Sequence, residues 1–136
     1  MKRLLSPLLL LALAGCHNAP PAPAPVPAPV DEQSIVGSYE GLLPCADCDA
    51  VRTRLNLTAD GRYLLQETFT GKSTLVFNDL GYWTFSRSNR HLQLQSGRRS
   101  YIVQFRAISP RVLQRLNRDG SDISGTDQNL LLQRVP

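Results

Sequence analysis

The sequence predicts an all-β domain, a small antiparallel meander closed into a barrel, on three observations. Apolar and polar residues alternate with a period of two in several short segments, as in half-buried strands. Turn-forming pairs such as Asp60-Gly61 separate these segments at short intervals. No window shows the apolar spacing of an amphipathic helix. Closure into a barrel would also remove the exposed strand edges through which sheets associate.

The strands are predicted in order along the chain. Alternation is clearest in residues 51–58, and a return strand at 63–69 follows Asp60-Gly61, whose two positions both favour positive φ. Glu67 falls on the apolar face of this return strand, which indicates either a bulge or a partly wet interior. Further strands are predicted near 35–42, 74–78, 81–86, 91–95, 101–106, 111–116 and 129–135, with turns at 71–73, 88–89, 96–97 and 119–120.

The interior of such a barrel is either filled by side chains or holds one small ligand, and the sequence leaves both open. Aromatic side chains in a small domain are more often core than ligand contacts. On that ground five aromatic residues are assigned to the core, namely Tyr39, Phe77, Tyr82, Trp83 and Phe85.

Residues 1–15 have the pattern of a lipoprotein signal peptide. Lys2 and Arg3 precede an apolar run at 4–13. As a helix this run would span about 15 Å, too short for the ~30 Å apolar core of a bilayer. The segment is therefore predicted to direct export rather than to cross the membrane.

Cys16 follows Leu13-Ala14-Gly15, a sequence that resembles the processing site of bacterial lipoproteins. Cys16 is therefore predicted to become the lipid-carrying N-terminal residue, and several acyl chains would anchor it durably in a membrane. His17 stands after the cysteine in place of an aspartate, which favours the outer membrane of a Gram-negative bacterium.

Residues 16–34 are predicted to form the lipidated N-terminus and a linker, and residues 35–136 a single domain. Six of the twelve residues at 19–30 are proline, which favours polyproline II over helix or sheet. At about 3.1 Å per residue this stretch reaches roughly 37 Å, so it is a semi-rigid spacer. A proline-rich recognition ligand is the competing interpretation.

The charge of the mature chain argues against nucleic-acid binding. Loss of Lys2 and Arg3 with the signal lowers the formal charge from +4 to +2, and Arg98-Arg99 is the only adjacent basic pair that remains. An exported protein of such low charge is a poor nucleic-acid binder, so no nucleic-acid partner is expected. The expected state is a monomer at a membrane surface.

Cys45 and Cys48, two residues apart, are the candidate functional site. The periplasm is oxidising, so a disulfide is the default state of a close pair. A ring this small gains only about 2 kcal/mol in the chain-entropy model, so stability alone is a weak reason for the pair. Thiol-exchange catalysis is not expected, because the pair precedes a strand and because Asp47 and Asp49 would raise the thiol pKa values.

Two thiolates are also sufficient to bind a soft ion, which makes Cu(I) the candidate metal, with Asp47 and Asp49 as its surroundings. A structural zinc site needs four ligands. His91 lies on a predicted polar strand face and His17 in the tether, so neither is expected to complete one. The residues leave an unreactive disulfide and a metal- or redox-sensitive pair equally open.

Residues 37–65, GSYEGLLPCADCDAVRTRLNLTADGRYLL, resemble the start of the N-terminal domain of the NlpE-type lipoproteins. The segment PCADC is the most specific part of the match. Gly81-Tyr82-Trp83 and the segment at 116–123 resemble later parts of the family pattern. Two positions depart from it, since Ala50 stands where glycine is commoner and Asn117 replaces the usual aspartate.

The resemblance implies a lipocalin-like β-barrel on a lipid anchor, with a role in copper homeostasis or resistance. It also implies envelope-stress signalling, with a sensor kinase of the inner membrane as partner. Two-domain members carry a C-terminal OB-fold domain, which is not expected here because the chain ends at Pro136.

The leading expectation is a non-enzymatic lipoprotein of the outer membrane with Cys45 and Cys48 as a metal- or redox-sensitive site. One alternative is a lipocalin-like carrier of a small apolar ligand. Another is a structural envelope module in which the disulfide is unreactive.

Overall fold

A computed structural model describes residues 15–16, 18–126 and 129–136 of the chain. These residues form strands and no helix: β1 (Gly37–Leu43), β2 (Ala50–Leu57), β3 (Arg62–Thr70), β4 (Phe77–Ser86), β5 (His91–Ser96), β6 (Val103–Ser109), β7 (Val112–Arg115) and β8 (Leu131–Val135). Each strand pairs antiparallel with the next, and β8 pairs with β1, so the sheet closes. The predicted all-β closed meander is confirmed. No helix among the described residues is long and apolar enough to span a membrane.

The sequence predicted separate strands at 74–78 and 81–86, and this is wrong. The two are one strand, β4, because Asp79 and Leu80 stay extended and pair with Leu65 and Leu64 of β3. The first half of β4 pairs with β3 and its second half with β5. β4 thus passes from one partner strand to the other without an intervening loop.

Glu67 lies inside the barrel at the wall of a cavity, which favours the partly wet interior over the bulge. No bulge forms, since β2 and β3 pair in continuous register with Thr53 opposite Glu67. The β2–β3 turn differs from its prediction. It contains four residues, 58–61, and only Gly61 has a positive φ, of 83°. Asp60 therefore does not adopt the conformation expected of it.

The core lies inside the barrel and contains Tyr39, Trp83 and Phe85 as predicted. Phe77 and Tyr82 were assigned to the core wrongly, since they are 49% and 66% exposed. Tyr82 points outward because it adjoins the inward Trp83, and successive side chains of a strand alternate between faces. Phe77 is the first residue of β4, at the rim of the barrel.

The two ends of the barrel differ in construction. The loops at 44–49, 71–76 and 97–102 lie at one end, together with the described residues 116–126 and 129–130, and this end is here named the cysteine end. The loops at 58–61, 87–90 and 110–111 lie at the other, here named the turn end. The turn at 31–35 precedes β1 at the turn end, so the linker enters the barrel opposite the cysteines.

The turn at 31–35 closes the turn end by packing Ile35, which is fully buried, against the core. The Tyr39 hydroxyl lies within hydrogen-bond distance of two carbonyl oxygens, those of Ile35, at 2.8 Å, and Pro110, at 3.0 Å. The Arg134 guanidinium donates to the carbonyls of Ser34, Val36 and Pro110. Backbone oxygens thus satisfy the polar groups that this end buries.

Candidate functional site

The loop at 44–49 carries the cysteine pair at the cysteine end of the barrel. β1 and β2 stay paired as far as Leu43 and Val51, so the intervening residues must turn back within a short distance. Within that turn Cys45 and Cys48 form a disulfide, with Cα atoms 5.3 Å apart. Both cysteines are half-buried, while Asp47 is exposed.

The turn after β3 holds this loop in place. The Asp49 amide donates to the Thr70 carbonyl at 2.9 Å, and the Thr70 hydroxyl donates to the Ala50 carbonyl at 3.0 Å. Gly71 has a φ of 79°, and a Cβ there would lie 2.4 Å from a carboxylate oxygen of Asp49. Only glycine suits both that conformation and that close approach. The turn after β3 therefore positions the cysteine loop.

Cys45, Asp47 and Cys48 each present one ligand atom, and the three atoms lie within 4.8 Å of one another. The Cys45 sulfur is 3.6 Å from an Asp47 oxygen, and the Cys48 sulfur is 3.5 Å from the Ala50 carbonyl oxygen. Thiolates are the ligands of soft metals, whereas a disulfide carries no charge. The group can therefore hold such an ion only in its reduced form.

Lys72 sets the charge of the exposed Asp47. The ammonium group forms a hydrogen-bonded ion pair with this carboxylate. The hydrogen bond from Lys72, with its positive charge, holds the pKa of Asp47 below its usual value. Asp47 is therefore anionic at neutral pH and lies beside the two sulfurs.

The other predicted site residues do not join this group. The Asp49 carboxylate packs against Gly71, and Asp49 is not among the clustered ligands. His91 lies on β5, where its ring approaches Gly120. Cys16 is an exposed free thiol, and its lipidation stays a prediction. His17 and residues 1–14 of the signal lie outside the described residues.

A cavity of about 530 Å³ opens beneath the cysteine loop. Its apolar wall includes Leu43, Val51 and Phe69, and Cys45 contributes to its rim. The barrel interior is thus hollow toward the cysteine end. The polar residues that also line the cavity are Thr53, Glu67, Arg99, Tyr101, Arg115 and Thr126.

Arg99 is the centre of an ion network at this cavity. Its Nε lies 3.0 Å from Asp79 Oδ2 and one terminal nitrogen 3.4 Å from Glu67 Oε1. Its other terminal nitrogen donates to the Tyr101 hydroxyl at 3.0 Å. Tyr63 donates to Asp79 at 3.0 Å, and burial followed by this carboxylate raises the pKa of Tyr63 to about 12. Each polar group of Arg99 thus has a partner.

Arg115 points into the same cavity from β7 and is held far less completely. The one hydrogen bond that its guanidinium makes among the described residues goes to the Gln104 carbonyl, at 3.4 Å. Its guanidinium lies 5.3 Å from the centre of the Phe105 ring. Burial lowers the pKa of Arg115.

Sequence reasoning missed Asp79, Arg99 and Arg115. Asp79 is in phase with Trp83, and Arg115 with Leu113, so strand alternation could have placed both side chains inside. Arg99 comes from the loop at 97–102, where no periodicity exists to reveal it.

A profile of the NlpE N-terminal domain matches residues 39–126. Lipoprotein NlpE of Escherichia coli K12 is 32% identical over 122 residues, which cover 84% of this chain and 48% of that protein. The chain therefore spans about half the length of this relative.

Two solved structures share the barrel at 27% sequence identity each. A Shewanella oneidensis protein assigned as a lipoprotein matches with a TM-score of 0.62, over 74% of this chain and 88% of its own. The Cpx pathway activator NlpE of Escherichia coli matches with a TM-score of 0.56, over 70% of this chain and 49% of its own.

Proposed function

The chain belongs to the NlpE N-terminal domain family, and on that premise we propose that it is a copper- and redox-responsive envelope lipoprotein. In this proposal Cys16 carries the lipid and anchors the barrel to the outer membrane, facing the periplasm. The pair Cys45 and Cys48 alternates between a disulfide and a dithiolate that binds Cu(I). The protein acts by binding and signalling rather than by catalysis.

One observation carries the copper proposal: two sulfurs and a carboxylate oxygen lie within 4.8 Å of one another on an exposed loop. Two thiolates are a sufficient ligand set for Cu(I). The bound ion and two thiolates would have a net charge of −1, next to the positive charge of Lys72. Asp47 would then be the neighbouring acceptor rather than a required ligand.

The switch is balanced in electrons and protons. Opening the disulfide takes two electrons and two protons, which an exported dithiol supplies as it is oxidised to its own disulfide. Cu(I) then binds as the two thiols lose their protons. Occupancy by copper therefore competes with reoxidation, so the loop responds to both copper supply and redox state.

The stress role is supported by the family membership. One structural relative is named as an activator of the Cpx pathway. We infer that the reduced or copper-bound loop alters the contact of this barrel with a sensor kinase of the inner membrane.

Cu(I) titration tests the metal site. The chain from residue 16, with Cys16→Ser to keep it soluble, is reduced and titrated without oxygen against a bicinchoninate competitor. We expect one tightly bound ion per reduced chain and none in the oxidised chain or in Cys45→Ser/Cys48→Ser. Asp47→Asn, which leaves both thiolates, should retain binding. A reduced chain that competes no better than the double variant would refute the copper role.

Fractionation of cells tests the anchor separately. The wild-type chain should remain with outer-membrane vesicles, and Cys16→Ser should appear in the soluble or uncleaved fraction. Cells that carry Cys45→Ser/Cys48→Ser should lose copper tolerance while the amount and location of the protein stay unchanged. Unchanged tolerance in those cells would contradict the proposed physiological role and leave the anchor intact.

A further inference from the structure

The cavity at the cysteine end combines an apolar wall with a poorly satisfied cation. Its volume of about 530 Å³ falls within the roughly 300–1,000 Å³ typical of small-molecule sites. Leu43, Val51 and Phe69 form one continuous part of the wall, because they lie opposite one another on β1, β2 and β3. Arg115 reaches the same space from β7.

Arg115 retains donors that face this space. A guanidinium has five N–H donors, and Arg115 uses one of them among the described residues. No fully buried side-chain nitrogen or oxygen in the described part of the chain lacks a partner. The unused donors of Arg115, which lines this cavity, are therefore not fully buried.

Among the residues that the structure describes, the charges around the cavity leave positive charge unpaired. Glu67 and Asp79 both form ion pairs with Arg99. Arg118 lies 3.8 Å from the centre of the Tyr101 ring. Neither Arg115 nor Arg118 forms an ion pair with a carboxylate of the described residues. A guanidinium fork is the geometry that binds a carboxylate through two parallel hydrogen bonds.

We propose that this cavity binds a small amphiphile with one anionic headgroup, of which a fatty-acid carboxylate is the simplest form. Arg115 binds the headgroup, and Leu43, Val51 and Phe69 pack against the apolar tail. The network of Arg99, Glu67 and Asp79 forms the fixed polar side of the site. A neutral apolar ligand would leave the donors of Arg115 unpaired and is disfavoured on that ground.

This site is separate from copper binding and requires no reduction. Cys45 touches the cavity only at its rim, and its sulfur is in the disulfide. Ligand binding is therefore expected in the oxidised chain, where Cu(I) binding is not. Failure of one proposal leaves the other standing.

Calorimetric titration with decanoate and decanol tests the site, because the two probes share a tail and differ in charge. The chain is used from residue 16 with Cys16→Ser and its disulfide intact, since every core residue lies between Ile35 and Leu132. We expect decanoate, below its micelle concentration, to saturate one site and to bind about tenfold or more tightly than decanol. Amide NMR signals of Leu43, Val51 and Arg115 should shift.

Two variants and a control distinguish the contribution of the headgroup to binding from that of the tail. Arg115→Gln should weaken decanoate about tenfold and leave decanol unchanged, since it removes a charge-assisted contact. Arg87→Gln is the control. It also removes one positive charge, from an exposed arginine at the turn end, and it should change the affinity for neither probe. Val51→Phe narrows the cavity and should weaken both probes, which keeps the test decisive if Arg115→Gln fails to fold.

Three results would overturn the proposal. The first is no saturable binding of decanoate to the wild-type chain. The second is equal decanoate affinity in the wild type and a folded Arg115→Gln. The third is amide shifts confined to the outer face of β4 around Leu80, which is 66% exposed.

Discussion

Arg134 and Arg115 are inward arginines on the neighbouring strands β8 and β7, each over an aromatic ring, and they differ in their hydrogen bonds. At the turn end, Arg134 donates to three backbone carbonyls and lies 5.6 Å from the centre of the Tyr39 ring. At the cysteine end, the guanidinium of Arg115 makes one hydrogen bond within the described residues and borders a cavity. A cation held by several backbone carbonyls is part of the fold, whereas one with a single hydrogen bond at the wall of a cavity indicates a binding site.

The two ends of the barrel also differ from each other as a whole. The turn end is closed by a short turn whose Asp31 and Ser34 bond each other reciprocally, at 2.8 Å each way. The cysteine end has the longest loops, the disulfide and the ion network of Arg99. The candidate functional groups therefore lie at the cysteine end, whereas the turn end is closed by the bonded turn at 31–35.

Replacing each arginine by glutamine should give the largest difference between the two ends. Arg134→Gln leaves the carbonyls of Ser34, Val36 and Pro110 without their cationic donor, and the free energy of unfolding should fall by about 3 kcal/mol. Arg115→Gln removes one long contact and a desolvated charge, so the change should stay within about 1 kcal/mol. Urea denaturation followed by Trp83 fluorescence measures both, and equal losses would contradict the comparison.

The second-largest effect on the free energy of unfolding is expected at high pH, where Tyr63 of the ion network loses its proton. The folded-state pKa of about 12 lies above the ordinary value of 10.0. Folding therefore favours the protonated phenol, and this stabilisation is complete below pH 10 and disappears as pH rises through about 12. The loss should be at most about 2 kcal/mol.

Tyr63→Phe should reduce the fall in the free energy of unfolding between pH 10.0 and about 12, as measured by urea denaturation at each pH. Tyr39, whose pKa burial also raises, is the matched tyrosine at the turn end. Tyr39→Phe should leave the contribution of Tyr63 in place. A decline of the same size in Tyr63→Phe as in the wild type would rule out its role.

Two glycine substitutions should give the smallest difference. Gly61 and Gly71 have similar positive φ values of 83° and 79°, one at each end. A Cβ on Gly61 meets no atom within 4 Å, whereas a Cβ on Gly71 meets Asp49. Gly61→Ala should therefore cost about 1 kcal/mol for conformation alone. Gly71→Ala should cost about 1 kcal/mol more, because it also displaces the cysteine loop.

Thermal or urea unfolding of the two variants measures the difference. Gly97→Ala, at a glycine with open space around it, serves as a control in the same end of the barrel as Gly71. Equal costs for Gly61→Ala and Gly71→Ala would show that the Asp49 contact does not restrain the loop.

Strand alternation predicted most of the fold correctly, because burial on one face imposes a period of two whatever the partner strand is. The same logic placed Leu55, Leu57 and Leu65 inside, as found. It failed at residues 74–86, where a strand that bends between two partners has no turn signal. Aromatic character alone misplaced Tyr82, although its neighbour Trp83 fixed the phase. The cysteine pair was found from its spacing in the sequence. The close contact of Asp49 with Gly71, which positions the cysteine loop, was visible only in the structure.

By itself the sequence determined the closed meander, the cysteine pair at the end of β1 and a charged residue, Glu67, on an inner face. These are local properties, set by alternation and by residues near in the chain. Only the tertiary structure decided which end is closed, that Arg99 from a loop meets Asp79 and Glu67 from two strands, and that Arg115 faces a cavity. These contacts are set by the register and shear with which the barrel closes. They join residues far apart in the chain, so no periodic pattern in the sequence predicts them.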